Sequence, residues 1–97
     1  MNTEQRLAEM RRRLESEFKP LALELIDEGH LHVGHAGARD GRGHFRLRIV
    51  SERFAGTAQV QRHRLIYQVM GELMQNDIHA LAIEAQAPDE IHPDNVV

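Results

Sequence analysis

The chain has no cysteine. That excludes a disulfide framework and any metal or cluster site held by its own thiolates, so a soft metal centre bound here would have to draw its sulfur from another molecule. Aromatic side chains are scarce, with three Phe and one Tyr. The core must therefore be assembled from Leu, Ile, Val, Met and Ala, with the phenylalanines as anchors. No apolar run approaches the roughly 20 residues that cross a bilayer, and the opening MNTEQRLAEMRRR lacks the apolar centre of a secretory signal. The expected compartment is the cytoplasm, with no membrane partner. Enzyme signatures are missing as well: there is no HExxH and no Ser/His/Asp set in a nucleophile context, so no catalytic site is expected. Gly41-Arg42-Gly43 has too few glycines for a phosphate loop.

What is present fits one domain over residues 1–97, since a chain this short buries only about 60 to 65% of its unfolded surface in a single core. The net charge of -3 is unevenly spread. Between Arg42 and Arg64 six arginines face only Glu52, whereas from Gln75 to Val97 there are five acids and no lysine or arginine. The stretch from Pro88 to Val97 reads as a solvated, flexible acidic tail.

Thr3 can cap a helix whose apolar positions Leu7, Met10, Leu14 and Phe18 recur at steps of three and four. Glu4 at its start and Arg11 to Arg13 toward its end suit the helix dipole, and those arginines read as a solvated face rather than a nucleic-acid patch. Pro20 stops the helix, and Leu21 to Ile26 reads as a strand with Leu21, Leu23 and Leu25 on one face. Residues 27–43 form a long loop holding five of the seven glycines and three of the seven histidines. Loops of that length in small domains are usually functional or mobile.

From His44 to Val50 the pattern alternates, with Phe45, Leu47 and Ile49 inward and His44, Arg46 and Arg48 outward. A turn from Arg53 to Gly56 leads into a segment from Thr57 to Met74 with Leu65, Ile66, Val69, Met70 and Leu73 at helical spacing, the longest helix expected. Asn76-Asp77 closes it. Ile78 to Ala85 is a third strand in which His79, Leu81, Ile83 and Ala85 share a parity, placing His79 on the helix side. The order is α-β-β-α-(α)-β, with a break expected near Gly56, and the fold class is α+β: helices on one face of a three-stranded mixed sheet.

Arg62, His63 and Arg64 lie in the first two turns of the second helix, where cations cost about a few tenths of a kcal/mol unless a negative group is near. Either one arginine pairs with Glu52 or an acid of the tail while His63 packs on Ile66 and Tyr67, or the triplet joins Arg53, Arg46 and Arg48 in a surface for nucleic-acid phosphate or an acidic protein. Gly34-His35-Ala36-Gly37 has the form of a GxxG nucleic-acid clamp. It sits between two strands, whereas that clamp joins two helices.

Phe54, Gly56, Arg62-His63-Arg64 and His79-Ala80-Leu81, with His44-Phe45 opening an alternating strand, resemble the BolA family in order and spacing. The resemblance implies a BolA-like, type II K-homology-like topology. It also implies a [2Fe-2S] cluster shared with a monothiol glutaredoxin, with two thiolates from the glutaredoxin and from glutathione and none expected on the isolated chain. The family's ligand in the His-Ala-Leu segment maps on His79. Its loop ligand, nine positions before the His-Phe of the next strand, maps on His35, with His44 in reserve. His30, His32 and His92 are expected to face solvent. Neutral imidazole is a good iron ligand that can lose its metal on protonation. A second role attributed to the family is transcription regulation through double-stranded DNA, which the basic helix and strand would serve. The chain departs from relatives in lacking a Pro-x-Gly-Ser-Glu segment in the loop and in reading Ala87-Pro88-Asp89-Glu90-Ile91 where others often carry tryptophan.

Overall fold

Asn2, one residue earlier than expected, caps the first helix: its side chain accepts from the Gln5 N–H and the Gln5 side chain returns the bond to Asn2 N–H, each at 2.8 Å. In the computed structural model, which describes residues 1–29 and 43–91, α1 runs Thr3–Phe18 and ends at Lys19 in the left-handed conformation, ahead of Pro20. α1 is the longest helix. Arg11 to Arg13 lie in its body rather than in its last turn, which holds no basic residue.

β1 (Ala22–Asp27) and β2 (Gly43–Val50) pair antiparallel, and β2 pairs parallel with β3 (Ile78–Gln86), giving a mixed sheet in the order β1-β2-β3. Leu23 and Leu25 pack against the core, but Leu21 precedes the strand and is exposed. After a 3-10 turn at Glu52–Phe54 come α2 (Gln59–Met70) and α3 (Leu73–Asn76). The expected single helix from Thr57 to Met74 is thus split, and the split falls at Gly71 rather than near Gly56. Gly71 adopts φ 55 and ψ -128, a conformation open to glycine and strained for other residues.

α1, α2 and α3 cover one face of the sheet. Met10, Leu14 and Phe18 of α1, Ile66 and Met70 of α2 and Leu73 of α3 meet Phe45, Leu47 and Ile49 of β2. Each fully buried side chain of this size contributes roughly 1.5–3 kcal/mol. Phe18 and Phe54 stack at 5.1 Å between ring centres. Arg13 of α1 locks the helices together at the Gly71 break, donating to Met70 O at 2.7 Å and to Glu72 Oε1 at 2.6 Å.

Part of the presumed flexible tail is ordered. Pro88–Glu90 forms a second 3-10 turn, in which Glu90 Oε1 accepts from Ala87 N–H at 3.1 Å. His30, His32, His35 and the GxxG segment in the loop, and His92 beyond the turn, lie outside the described residues.

Candidate functional site

β2 and β3 run parallel, so their first residues come to the same end of the sheet. The entry is held by Gly43 N–H donating to Asp77 O at 2.9 Å and by Arg6 Nε on Asp77 Oδ1 at 3.2 Å. A Cβ at Gly43 would stand 2.5 Å from the Phe45 ring, so a larger residue here forces that buried ring to move. Register then slips: Gly43 pairs with Ile78 but His44 pairs with Ala80. His79 is the extra residue of a β-bulge, a device that re-aims a side chain. Strict alternation would place His79 beside Leu81 on the helix face. Instead Ile78 is buried, His79 and Ala80 are both exposed, and Leu81 returns to the core.

The consequence is that the His79 ring meets the ring of His44, with centroids 4.9 Å apart and planes tilted by 46°. His44 is buried, not outward and solvated as alternation implied, while His79 is open to solvent. Two imidazoles on one metal atom, with bonds of about 2 Å, bring their ring centres to about 5 Å, so the spacing fits a bis-imidazole half-site. Among the described residues no group of three or more His, Cys, Asp or Glu comes together to hold a metal. Any further donors to a metal centre would have to come from outside the described residues.

The arginine set is dispersed. Arg62 is buried, and all three of its guanidinium nitrogens donate: Nε to Thr57 O at 2.7 Å, Nη1 to Ala85 O at 3.0 Å, and the fork to Glu90 at 2.6 and 2.7 Å. It is therefore no part of an anion surface, and of the two readings open in the sequence the pairing with a tail acid holds. Arg46 pairs with Glu28 at 2.9 Å, Arg48 with Glu84, and Arg53 with Glu17 at 3.2 Å while also lying over the Phe18 ring. Arg64 is exposed and makes no ion pair among the described residues, and His63 is half-buried. What looked like a continuous basic middle is mostly neutralised by acids from other elements. Exposed pairs are weak, typically about 0.2–1 kcal/mol, so Arg46, Arg48 and Arg53 can exchange partners, whereas Arg62 cannot.

Sequence reasoning missed Glu28, Glu84 and Glu17 as the counter-charges, and for the triplet it offered an acid of the tail without singling out Glu90. Only Glu90 carried a local signal: a proline followed by two acids is a helical-turn start, which argues against a free tail. A depression of about 660 Å³ on the uncovered sheet face, bounded by Glu24, Arg48, Glu84 and Ile91 among others, is lined by these paired charges and does not include the histidines.

A parallel β2/β3 pair behind helices on one face, with an imidazole pair at its entry, defines a small α+β domain. The chain matches the family described as BolA-like protein over residues 14–90 and belongs to that family. It is 44% identical over 87 residues to SufE-like protein 1, chloroplastic/mitochondrial, of Arabidopsis thaliana, covering 84% of this chain and 24% of that protein. To Protein BOLA1, chloroplastic, of the same plant it is 39% identical over 90 residues, covering 90% and 56%. The chain thus spans well under two thirds of both. The DNA-binding transcriptional regulator BolA of Vibrio cholerae is 40% identical over 79 residues, covering 81% of this chain and 72% of that one. The solved BolA domain of SufE1 from Arabidopsis thaliana superposes with a TM-score of 0.79 at 38% identity, covering 94% and 99%. Among the described residues no helix is long and apolar enough to cross a membrane.

Proposed function

We propose that this chain is a non-enzymatic BolA-like protein that binds a monothiol glutaredoxin and shares a [2Fe-2S] cluster with it, in cluster assembly, trafficking or iron-dependent regulation. The observation that carries the reading is the meeting of the His44 and His79 rings at the margin of a chain without cysteine. Two nitrogen donors with no thiolate make half of a cluster site, and the other half is supplied by the glutaredoxin cysteine and by glutathione. His79, exposed and re-aimed by the bulge, is the first ligand. The second is His35, as the resemblance implies, with His44, already against His79, as the alternative. When bound, the cluster supplies one-electron chemistry and an iron centre whose potential imidazole ligation raises. The compartment that goes with this reading is the cytoplasm, where thiol donors stay reduced.

The test is reconstitution of the full chain with a monothiol glutaredoxin, glutathione, iron and sulfide, followed by visible absorption and circular dichroism. His79→Ala is expected to change the spectrum, and of His35→Ala and His44→Ala only the true second ligand does so. A spectrum indifferent to His79→Ala removes it from the ligand set.

A second reading, DNA-binding transcription regulation, draws on the name of the Vibrio cholerae relative and on Arg64, exposed on a helix that carries no acid. Binding to a labelled duplex should then weaken with salt and with Arg64→Ala. Affinity indifferent to both leaves only the glutaredoxin role.

A further inference from the structure

The two margins of the sheet are guarded differently. Among the described residues β1 and β3 are both edge strands, and edges present backbone groups that natural chains protect with charge, proline or bulges. On β1 the guard is in place: Glu24 and Asp27 lie in the strand and Glu28 just beyond it. On β3, the bonds from Gly43 N–H to Asp77 O and from Ser51 N–H to Gln86 O fix which backbone groups face β2. With the pairing register, they turn Ala80, Ala82 and Glu84 toward β2 and Leu81, Ile83 and Ala85 away from it. At Ala85 the outward carbonyl is taken by Arg62 Nη1 at 3.0 Å and Gln59 Nε2 at 3.3 Å. The outward N–H and C=O of Leu81 and Ile83 meet no hydrogen-bond partner among the described residues. From Ala80 to Ile83 there is no charged residue and no proline.

We infer that the Leu81–Ile83 edge of β3 receives an extended segment of the partner protein as a fourth strand, beside His79. This inference rests on the reading that the partner is a monothiol glutaredoxin. The occupant follows from the chemistry of the edge. Alternating main-chain donors and acceptors match another extended backbone rather than a side chain, a known mode of peptide recognition. The neutral Ala80–Ile83 flank matches a segment without charge, and the exposed Ala80 and Ala82 leave room for its side chains. The strand's first residues run into His79, so a segment laid on this edge carries the rest of its protein, thiolate included, next to that ring. Arg62 and Gln59 end the docking edge by occupying the Ala85 carbonyl, which keeps the added strand short and at the histidine end.

Backbone amide exchange on the full chain tests this. Alone, the Leu81 and Ile83 amides exchange faster than those of Ala82 and Glu84, which bond to β2. Addition of apo monothiol glutaredoxin is expected to slow Leu81 and Ile83 by at least about tenfold, leaving Ala82 and Glu84 little changed. Ala82→Glu, a charged guard on the exposed face opposite Arg46, should weaken glutaredoxin binding about tenfold without lowering the melting temperature of the free chain. If the complex and its cluster form but Leu81 and Ile83 gain no protection, this inference is overturned and the proposed function stands. If no complex forms with or without the cluster components, the proposed function fails and takes the inference with it. Protection that rises with the concentration of this chain alone would mean that a second copy occupies the edge, which also overturns it.

Discussion

Replacing Arg62 by methionine is expected to destabilise the fold by about 3–4 kcal/mol, and the figure comes from what the guanidinium holds. Its side chain is 4% exposed and bridges the loop before α2, the end of β3 and the C-terminal turn. Methionine fills much of the volume against Phe54, whose ring lies 5.8 Å from the Arg62 guanidinium carbon, so the cavity term is small. The loss is polar. Thr57 O loses its side-chain donor and Ala85 O keeps only Gln59, each carbonyl costing about 1–3 kcal/mol if left without a partner. Removing one member of a buried ion pair costs about 3–5 kcal/mol, and the 39% exposure of Glu90 lets its freed carboxylate hydrate, which keeps the sum toward the lower end. A chain of this length is stable by roughly 5–15 kcal/mol in total, and each kcal/mol moves its melting point by roughly 4–8 °C. Urea unfolding followed by circular dichroism measures the change, with the slope against urea unaltered. Glu90→Gln should cost less, because the two carbonyl bonds survive, and the double variant should be less destabilised than the sum of the singles. An Arg62→Met loss under about 1 kcal/mol, or strict additivity with Glu90→Gln, would refute the clamp.

The same pair sets a pH dependence: hydrogen bonding by Arg62, then by Ala87 N–H, holds the Glu90 carboxyl down at about 2 from an ordinary 4.5. The folded value is the lower one, so this contribution is complete above about 4.5 and is lost as pH falls through about 2; Glu90→Gln should flatten that part of the acid-unfolding curve. Glu9, held at about 2 by Arg12 and Arg13, titrates in the same window, so the Glu90→Gln curve should keep some slope. Gly71→Ala should cost about 1–3 kcal/mol in thermal melting, because at φ 55 and ψ -128 the penalty is backbone strain; the added Cβ itself meets nothing closer than Arg13 Nη1 at 3.5 Å. Ser51→Ala should cost about 1–3 kcal/mol by the same measurement, since its buried hydroxyl donates to Phe18 O at 2.7 Å and accepts from Arg53 N–H at 3.1 Å.

Element types and order were legible in the sequence because each element buries one face and writes its period into the chain. Leu7 to Phe18 marked α1, Phe45, Leu47 and Ile49 marked β2, and Leu81, Ile83 and Ala85 marked β3. The break at Gly71 was not legible from periodicity, because Leu73 of α3 enters the same core as Ile66 and Met70 of α2 and so continues the apolar spacing across it; the glycine was the sole local clue. Leu21 was misplaced because alternation extends backward past the strand start, to a residue that pairing leaves exposed. The charges were the least legible part. Arg46 finds Glu28 18 positions back, Arg48 finds Glu84 36 positions on, and Arg53 finds Glu17 36 positions back. A count along the chain groups the arginines and cannot see acids that strand pairing and helix packing bring to them.

The candidate site depends on one residue of register. Without the bulge, His79 would follow Leu81 and Ile83 onto the helix side, where an imidazole would be turned into the core and screened from any partner. With it, two consecutive residues are exposed, the His79 ring reaches His44, and the parallel pairing resumes at Ala80 without loss of the core. The break in alternation is thus paired with a gain in chemistry, which is the relation expected where a local rule fails at a functional position. Arg62 works toward the same end from the other side of β3. By fastening the C-terminal turn and closing the edge at Ala85, it confines the unguarded part of the strand to the stretch that begins at the histidine. The Arg-His-Arg triplet therefore contributes through structure at its first arginine and presents a cation to solvent at its last.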